Sequence, residues 1–281
     1  MTFWIGCAVW AYKGWLGGLY PRQTKPQDFL RTYSRRLTAV EGNATFYTIP
    51  AEKTLAQWRN STPEGFRFCP KLFRDVTHQG ALHPQRTLAL EVIDRLRVLG
   101  DRLGPVMIQL PPSYGPDQLG DLELLLQALP SDSAVAVEVR HPNWFIQPAA
   151  DQLNQLLQRH QAGRVLLDTQ PIYSGSDNPQ QLSERPKPRL PLQPVITAPF
   201  TIIRYISHPD LHRNQSDMAR WATQISAWLT QGQDVYLFVH CPQEAQSPAM
   251  VEAFHQALVS ADAPIPPLPW HLQQEEQLSF F

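Results

Sequence analysis

Short apolar runs recur along the chain at an even interval, separated by longer stretches with helical periodicity. The runs are Phe3 to Cys7, Thr38 to Glu41, Phe66 to Lys71, Val106 to Gln109, Ala134 to Glu138, Arg164 to Asp168, Thr201 to Arg204 and Val235 to His240. Each is short and rich in β-branched or aromatic residues, which predicts eight strands. Their last residues lie 29 to 38 positions apart, the length of a strand plus a crossover helix. Helical patterns fill most intervals: Pro26 to Leu37, Thr54 to Asn60, Gln85 to Leu103, Asp117 to Leu129, Pro148 to His160, Gln215 to Thr230 and Pro248 to Ser260. Several open on Pro or Asp and stop near Gly, as at Asp117, Pro148, Gly163 and Gly232. Such alternation implies a parallel sheet.

Within the strands the alternation selects among parallel sheets. Val135, Val137 and Val139 take one parity and Ala134, Ala136 and Glu138 the other; the fourth and eighth runs behave alike. A doubly wound sheet would be apolar on both faces and would open with a Gly-rich loop. The expected fold is therefore α/β, a single-domain (β/α)8 TIM-type barrel over residues 1–260, with a Pro-rich then acidic tail over 261–281. One unit departs. Seven prolines crowd the stretch between Asp168 and Phe200, so helix six is expected to be replaced by a Pro-rich loop. Because it leaves the carboxyl end of the sixth strand, a lid over the site competes with a passive surface loop.

With 281 residues, 43% hydrophobic and 17% charged, the chain can bury a large core, and a formal net charge of -1 supplies no overall attraction to nucleic acid or anionic membrane. Three cysteines without CxxC spacing, Cys7, Cys69 and Cys241, argue for a reducing cytoplasm and against a disulfide framework or structural zinc. The apolar start, MTFWIGCAVW, is too short to span a membrane and reads as the first strand, so no membrane partner is expected.

If the aliphatic parity faces the helices, the other parity collects Glu41, Lys71, Gln109, Glu138, Asp168, Arg204 and His240 at one rim, with Asn43 and Arg140 one step beyond. In this architecture chemistry is built at the carboxyl ends of strands. The catalytic candidates are Glu41, Lys71, Glu138, Asp168 and His240; the substrate-binding candidates are Trp10, Asn43, Tyr47, Gln109, Arg140, His141, Trp144 and Arg204. The favoured mechanism uses Glu41 and Glu138 as general acid and base, with Lys71 and Arg204 binding a negative group. A Schiff base on Lys71 is a second route. A divalent metal held by the carboxylates and His240 is a third, disfavoured because Lys71 and Arg204 would repel it. The bland competitor is a set of buried ion pairs in which neighbouring Glu41 and Lys71 neutralise each other. Trp10, Trp15, Tyr47, Tyr114 and Trp144 fall in loops after strands, where each singly would cap the rim and together they could stack on a sugar or a base.

Five separated motifs resemble the YecE-like family, domain of unknown function number seventy-two: GCAVWAYKGWLGGLYP (6–21), VEGNATFYTIP (40–50), FRFCPKLFRDVTH (66–78), LGPVMIQLPPSY (103–114) and VAVEVRHPNWF (135–145). The resemblance runs from Gly6 to about Glu252 and implies a TIM-type barrel, with no established reaction. The chain departs from the family pattern at Arg204-Tyr205-Ile206-Ser207, where Arg-x-His-Gly is usual, and at His240-Cys241, where Asn-Asn is usual.

The tail ends Gln277-Leu278-Ser279-Phe280-Phe281, which is similar to the bacterial sliding-clamp binding motif. An amide and two large apolar anchors on a chain end suit groove binding; the competing reading docks both phenylalanines on the barrel. Gln277, Leu278, Phe280 and Phe281 are the partner-binding candidates. The resulting expectation is an acid-base enzyme, hydrolase or lyase, on an anionic substrate, which the tail motif would relate to nucleic acid. The alternatives are a carbohydrate-active or carbohydrate-binding barrel and a non-catalytic clamp-associated adaptor.

Overall fold

Strands form where the apolar alternation is strongest, and a computed structural model describes them within residues 1–175, 177, 179–181 and 186–270. They are β1 (Phe3–Cys7), β2 (Ala39–Gly42), β3 (Arg67–Pro70), β4 (Val106–Gln109), β5 (Val135–Glu138), β6 (Gly163–Asp168), β7 (Phe200–Ile206) and β8 (Asp234–His240). Each overlaps its expected run to within two residues at either end. Six of them form one parallel sheet in the order β1-β8-β7-β6-β5-β4, and β2 pairs with β3 in a second.

Hydrogen bonds also cross between the two sheets. The Leu72 amide donates to Met107 O at 2.9 Å and the Gly104 amide to Phe68 O at 2.7 Å, beside β4. On the other side the Thr38 amide donates to Ile5 O at 3.1 Å, and the Ile5 amide donates to Thr38 Oγ1 at 2.8 Å. Gly6 permits this second approach: a Cβ there would lie 1.8 Å from Ala39 O. No larger residue fits without moving β1 off β2.

The helices are α1 (Phe29–Tyr33), α2 (Glu52–Ser61), α3 (Arg74–Thr77), α4 (Arg86–Leu96), α5 (Leu119–Ala128), α6 (Ala149–Arg159), α7 (Gln170–Tyr173), α8 (Gln215–Thr230) and α9 (Ser247–Ser260). α6 shows why they dock: Ala150, Leu153, Leu156 and Leu157 make one buried stripe at helical spacing. The expected long helix to Leu103 stops at Leu96, and a tighter 3₁₀ segment, broken at Gly100 with φ of 56°, carries the chain onward. No helix among the described residues is long and apolar enough to cross a membrane.

Two apolar layers result. One lies between strands and helices and includes Ile5, Val40, Phe68, Ile108, Val137, Leu166, Ile203 and Leu237. The other is built from strand residues alone, one or more from every strand: Trp4, Ala39, Cys69, Met107, Ala136, Val165, Ile202, Tyr236 and Phe238. Alternation along each strand separates the two, as side chains of a pleated strand must.

The Pro-rich stretch holds a single helical turn, α7, rather than no helix at all, and its described parts then run irregularly to β7. It is fastened to the body by side chains. Thr169 Oγ1 donates to Pro188 O at 3.0 Å, Gln193 Nε2 to Phe145 O at 2.9 Å, and Thr197 Oγ1 to Ala162 O at 2.7 Å. Leu190 packs with Leu167, Ile172 and Ile206, so the stretch lies over the carboxyl ends of β6 and β7. The tail motif, Gln277, Leu278, Phe280 and Phe281, lies outside the described residues.

Candidate functional site

One pleat above the strand-only apolar layer the inward side chains turn polar. Following β2, β3, β4, β5 and β7 upward from Ala39, Cys69, Met107, Ala136 and Ile202, the next positions of that parity are Glu41, Lys71, Gln109, Glu138 and Arg204. Arg204 sits at the centre and is 1% exposed, with Glu41 at 0% and Glu138 at 1%. Its Nε and Nη2 donate to the two oxygens of Glu41 at 2.8 and 2.9 Å, and its Nη1 donates to Glu138 Oε2. The planar guanidinium thus bridges two carboxylates that burial alone would force to protonate.

Each carboxylate has further partners. Glu41 accepts from His240 Nε2 at 2.8 Å and pairs with Lys71 Nζ at 3.2 Å. Glu138 accepts from Arg140 Nε at 2.7 Å. Gln109 Oε1 joins the two cations, receiving Lys71 Nζ at 2.9 Å and Arg140 Nη2 at 2.9 Å. Burial by itself would raise both acids, but Arg204, then His240 and Lys71, outweigh it and hold Glu41 well below the usual carboxylate range. Burial is likewise outweighed at Glu138 by Arg204 and Arg140. Both stay ionised near neutrality.

The same network moves the bases. Burial, then Arg204, lowers Lys71 to about 8, against the pull of Glu41. Burial lowers His240 to about 4, so its ring is neutral near pH 7. Because ionised Glu41 can only accept, the proton on neutral His240 sits on Nε2, which leaves Nδ1 an acceptor.

Above this network opens a cavity of about 390 Å³. Six of the sequence-derived candidates line it: Asn43, Tyr47, Lys71, Gln109, Arg140 and His240. Glu41, Glu138 and Arg204 do not. They form the sealed floor that fixes Lys71, His240 and Arg140 in place. Asn43 is itself fixed, its Nδ2 donating to Ala8 O at 2.8 Å.

Four expected members are elsewhere. Asp168 is on the opposite face of β6, because Val165 and Leu167 take the inward parity. It accepts from Trp221 Nε1 at 2.7 Å and from the Gln170 amide at 2.9 Å, so it anchors α8 and α7. Burial raises its pKa. Trp144 is fully buried and donates Nε1 to Tyr114 O at 2.8 Å. Trp10 packs edge-on against Trp58 and Phe68, with ring centroids 5.0 and 6.1 Å away. His141 caps its own loop, Nδ1 accepting from the Asn143 amide at 3.1 Å.

Two ionisable residues that the sequence reading passed over complete the cavity wall, Lys187 and Glu244. Lys187 arrives on the Pro-rich stretch with both backbone polar atoms gripped. Its N–H donates to Gln180 Oε1 at 2.6 Å, and its carbonyl accepts from Tyr173 Oη at 2.5 Å. Burial, then Arg204, lowers its amine to about 7. Glu244 follows β8 by four residues; its Oε1 is buried without a hydrogen-bond partner, and burial raises its carboxyl to about 7. The one sequence signal for Glu244 was its position in the loop after β8; for Lys187 there was none beyond the loop being long. Among the described residues no group of three or more His, Cys, Asp or Glu side chains is arranged to hold a metal ion.

Comparison with known proteins gives consistent relatives. The family model described as "Protein of unknown function DUF72" matches residues 4–273. The UPF0759 protein YecE of Escherichia coli (strain K12) is 33% identical over 258 residues, covering 90% of this chain and 92% of the relative. The UPF0759 protein YunF of Bacillus subtilis (strain 168) is 29% identical over 157 residues, covering 53% and 54%. Among solved structures, a DUF72 family protein from Thermotoga maritima superposes with a TM-score of 0.69 at 20% identity, covering 92% of this chain and 100% of the other. One from Enterococcus faecalis gives 0.70 at 17% identity, covering 92% and 96%. These two likenesses establish a shared mixed α/β fold.

Proposed function

We propose a function for this chain from the premise that it belongs to the DUF72 family, whose model spans residues 4–273: it is an acid-base enzyme, a hydrolase or lyase, acting on a small anionic molecule in the cavity above Arg204. The reading takes the eight strands as one closed (β/α)8 barrel with residues 261–281 as an appended tail. In its favour are the hydrogen bonds that join β1 to β2 and β3 to β4, and the apolar layer to which every strand contributes.

The observation that carries the function is a charge imbalance. Lys71 and Arg140 face an open cavity, and the two carboxylates beneath them are shared with a third cation, Arg204, while Lys187 and Glu244 in the same wall, both with a pKa of about 7, offset each other. Positive charge is thereby left over where a ligand would sit, and an anion would neutralise it. Glu41 and Glu138, expected as general acid and base, are better suited to holding this framework, since both are ionised and inaccessible. Acid-base duty falls instead to Glu244, whose carboxyl is poised near neutrality, with His240 Nδ1 as an acceptor. The carbohydrate reading loses support because Trp10 and Trp144 are packed away from the cavity. Of the aromatic candidates, Tyr47 lines it, being 45% exposed.

Thermal denaturation with inorganic phosphate, sulfate, citrate and nucleoside monophosphates tests this. At a ligand concentration 100 times Kd the stabilisation is about 2.7 kcal/mol. Wild type is expected to be stabilised by at least one of them and Lys71→Met by none. Equal responses from both proteins, or none from wild type, would sink the anion reading.

A second reading concerns the tail and is independent of the cavity. Gln277-Leu278-Ser279-Phe280-Phe281 would dock in the groove of a DNA polymerase sliding clamp, placing the barrel near DNA. A chain lacking those five residues is expected to lose recovery on immobilised clamp. Retention equal to the full chain would end the idea.

A further inference from the structure

Lys187 differs from every other cation at this site in what its amine does. Lys71 Nζ is committed to Gln109 and Glu41, Arg140 to Glu138 and Gln109, and Arg204 to both glutamates. Lys187 Nζ has no hydrogen-bond or ion-pair partner among the described residues, although its main chain is pinned on both sides. The Pro-rich stretch therefore presents, from a fixed backbone position into the cavity, a primary amine without a partner among the described residues. Glu244, a carboxyl with a buried, unpartnered oxygen, lines the same cavity.

A primary amine, a proton-carrying carboxyl and two fixed cations in one small cavity are the parts needed for imine chemistry. We propose that Lys187 is a nucleophile that condenses reversibly with a small aldehyde or ketone bearing a carboxylate or phosphate, the anionic group being held by Lys71 and Arg140. This rests on the anionic-ligand reading above and names the substrate class within it. The Nζ lone pair attacks the carbonyl carbon, a C–N bond forms, and the π pair moves to oxygen. Glu244, in its carboxylate form, accepts one amine proton and returns it to that oxygen, giving a carbinolamine. The remaining amine proton passes by the same route to the hydroxyl, which leaves as water while the nitrogen lone pair forms the C=N bond, so both amine protons end on the water and no oxidant or reductant is needed. Near pH 7 a useful fraction of the amine is unprotonated, whereas an ordinary lysine, with a pKa of about 10.4, has almost none. Lys71, the amine singled out in the sequence, is the poorer nucleophile because Gln109 and ionised Glu41 accept from its N–H groups and so favour the protonated form, which has no lone pair to attack with.

Full-length protein incubated with sodium cyanoborohydride and either pyruvate or dihydroxyacetone phosphate provides the test, read by intact mass and peptide mapping. The expected result is one reduced adduct per chain, located on Lys187, competed by inorganic phosphate and formed with a pH midpoint near 7. The better of the two probes identifies the anion as carboxylate or phosphate. Lys187→Arg, checked for wild-type circular dichroism, is expected to give no adduct, and Lys71→Met to reduce labelling at limiting probe by at least about tenfold. Adducts on Lys71, adducts scattered over surface lysines, or no adduct would overturn the assignment. If phosphate still stabilises the protein when no adduct forms, the nucleophile is refuted and the anionic site stands. If phosphate has no effect either, both fail.

Discussion

Arg204→Met removes the guanidinium that holds the floor of the site together, and the consequence can be sized from its contacts. Arg204 donates three hydrogen bonds to two carboxylates that are 0% and 1% exposed. Deleting one partner from a buried ion pair costs about 3–5 kcal/mol, because the remaining charge is left without compensation. Here the loss is cushioned. Glu41 keeps His240 at 2.8 Å and Lys71 at 3.2 Å, and Glu138 keeps Arg140 at 2.7 Å. The expected destabilisation at pH 7 is therefore near the lower limit, about 3 kcal/mol.

Its pH dependence follows from the same contacts. In wild type the glutamate pKa values are depressed in the folded state, so their stabilisation is present above the unfolded value of about 4.3 and is lost as the pH falls toward the folded value. Without Arg204 those folded values move back up, so the gap between variant and wild type narrows on acidification. Urea denaturation followed by tryptophan fluorescence, from pH 7 down to about pH 2, measures both effects. Glu138→Gln introduced into Arg204→Met is expected to recover part of the stability, since it removes a buried charge left with Arg140 alone. A loss below about 1 kcal/mol, the scale of an exposed pair, would refute the account of a sealed network. So would a gap that widens in acid.

Glu244→Gln replaces a carboxyl whose folded pKa is raised. Wild-type stability relative to this variant is expected to be greatest below about pH 4.3 and to fall as the pH rises through about 7, read by denaturation across that range. A flat difference would show that Glu244 is not protonated at neutral pH in the folded chain. Asp168→Ala leaves the Trp221 indole and the Gln170 amide without their acceptor, which is expected to cost about 1–3 kcal/mol while leaving small-anion stabilisation unchanged. A lost anion response in Asp168→Ala would return that residue to the site.

The local pattern determined a great deal. Short β-branched and aromatic runs marked all eight strands, with period-two alternation explicit in three of them, and helical spacing marked the main helices docked on them, because both periods follow from backbone geometry that every short segment carries by itself. It also brought Lys71, Gln109, Arg140 and His240 to one end of the strands, since each lies at or just beyond a strand's last residues. Tertiary structure alone decided the rest. In β6 a parity shift of one residue turned Asp168 toward α8, a change that alters no residue and is visible only through the neighbours of Val165 and Leu167. Whether Glu41 and Glu138 face a ligand or a buried guanidinium depended on Arg204, more than sixty positions away from either. Lys187 entered the site because Gln180 and Tyr173 pin a proline-rich stretch with no periodicity of its own. Local sequence encodes the direction of a side chain relative to its own backbone, whereas which charges meet across a fold depends on how separate segments close upon one another.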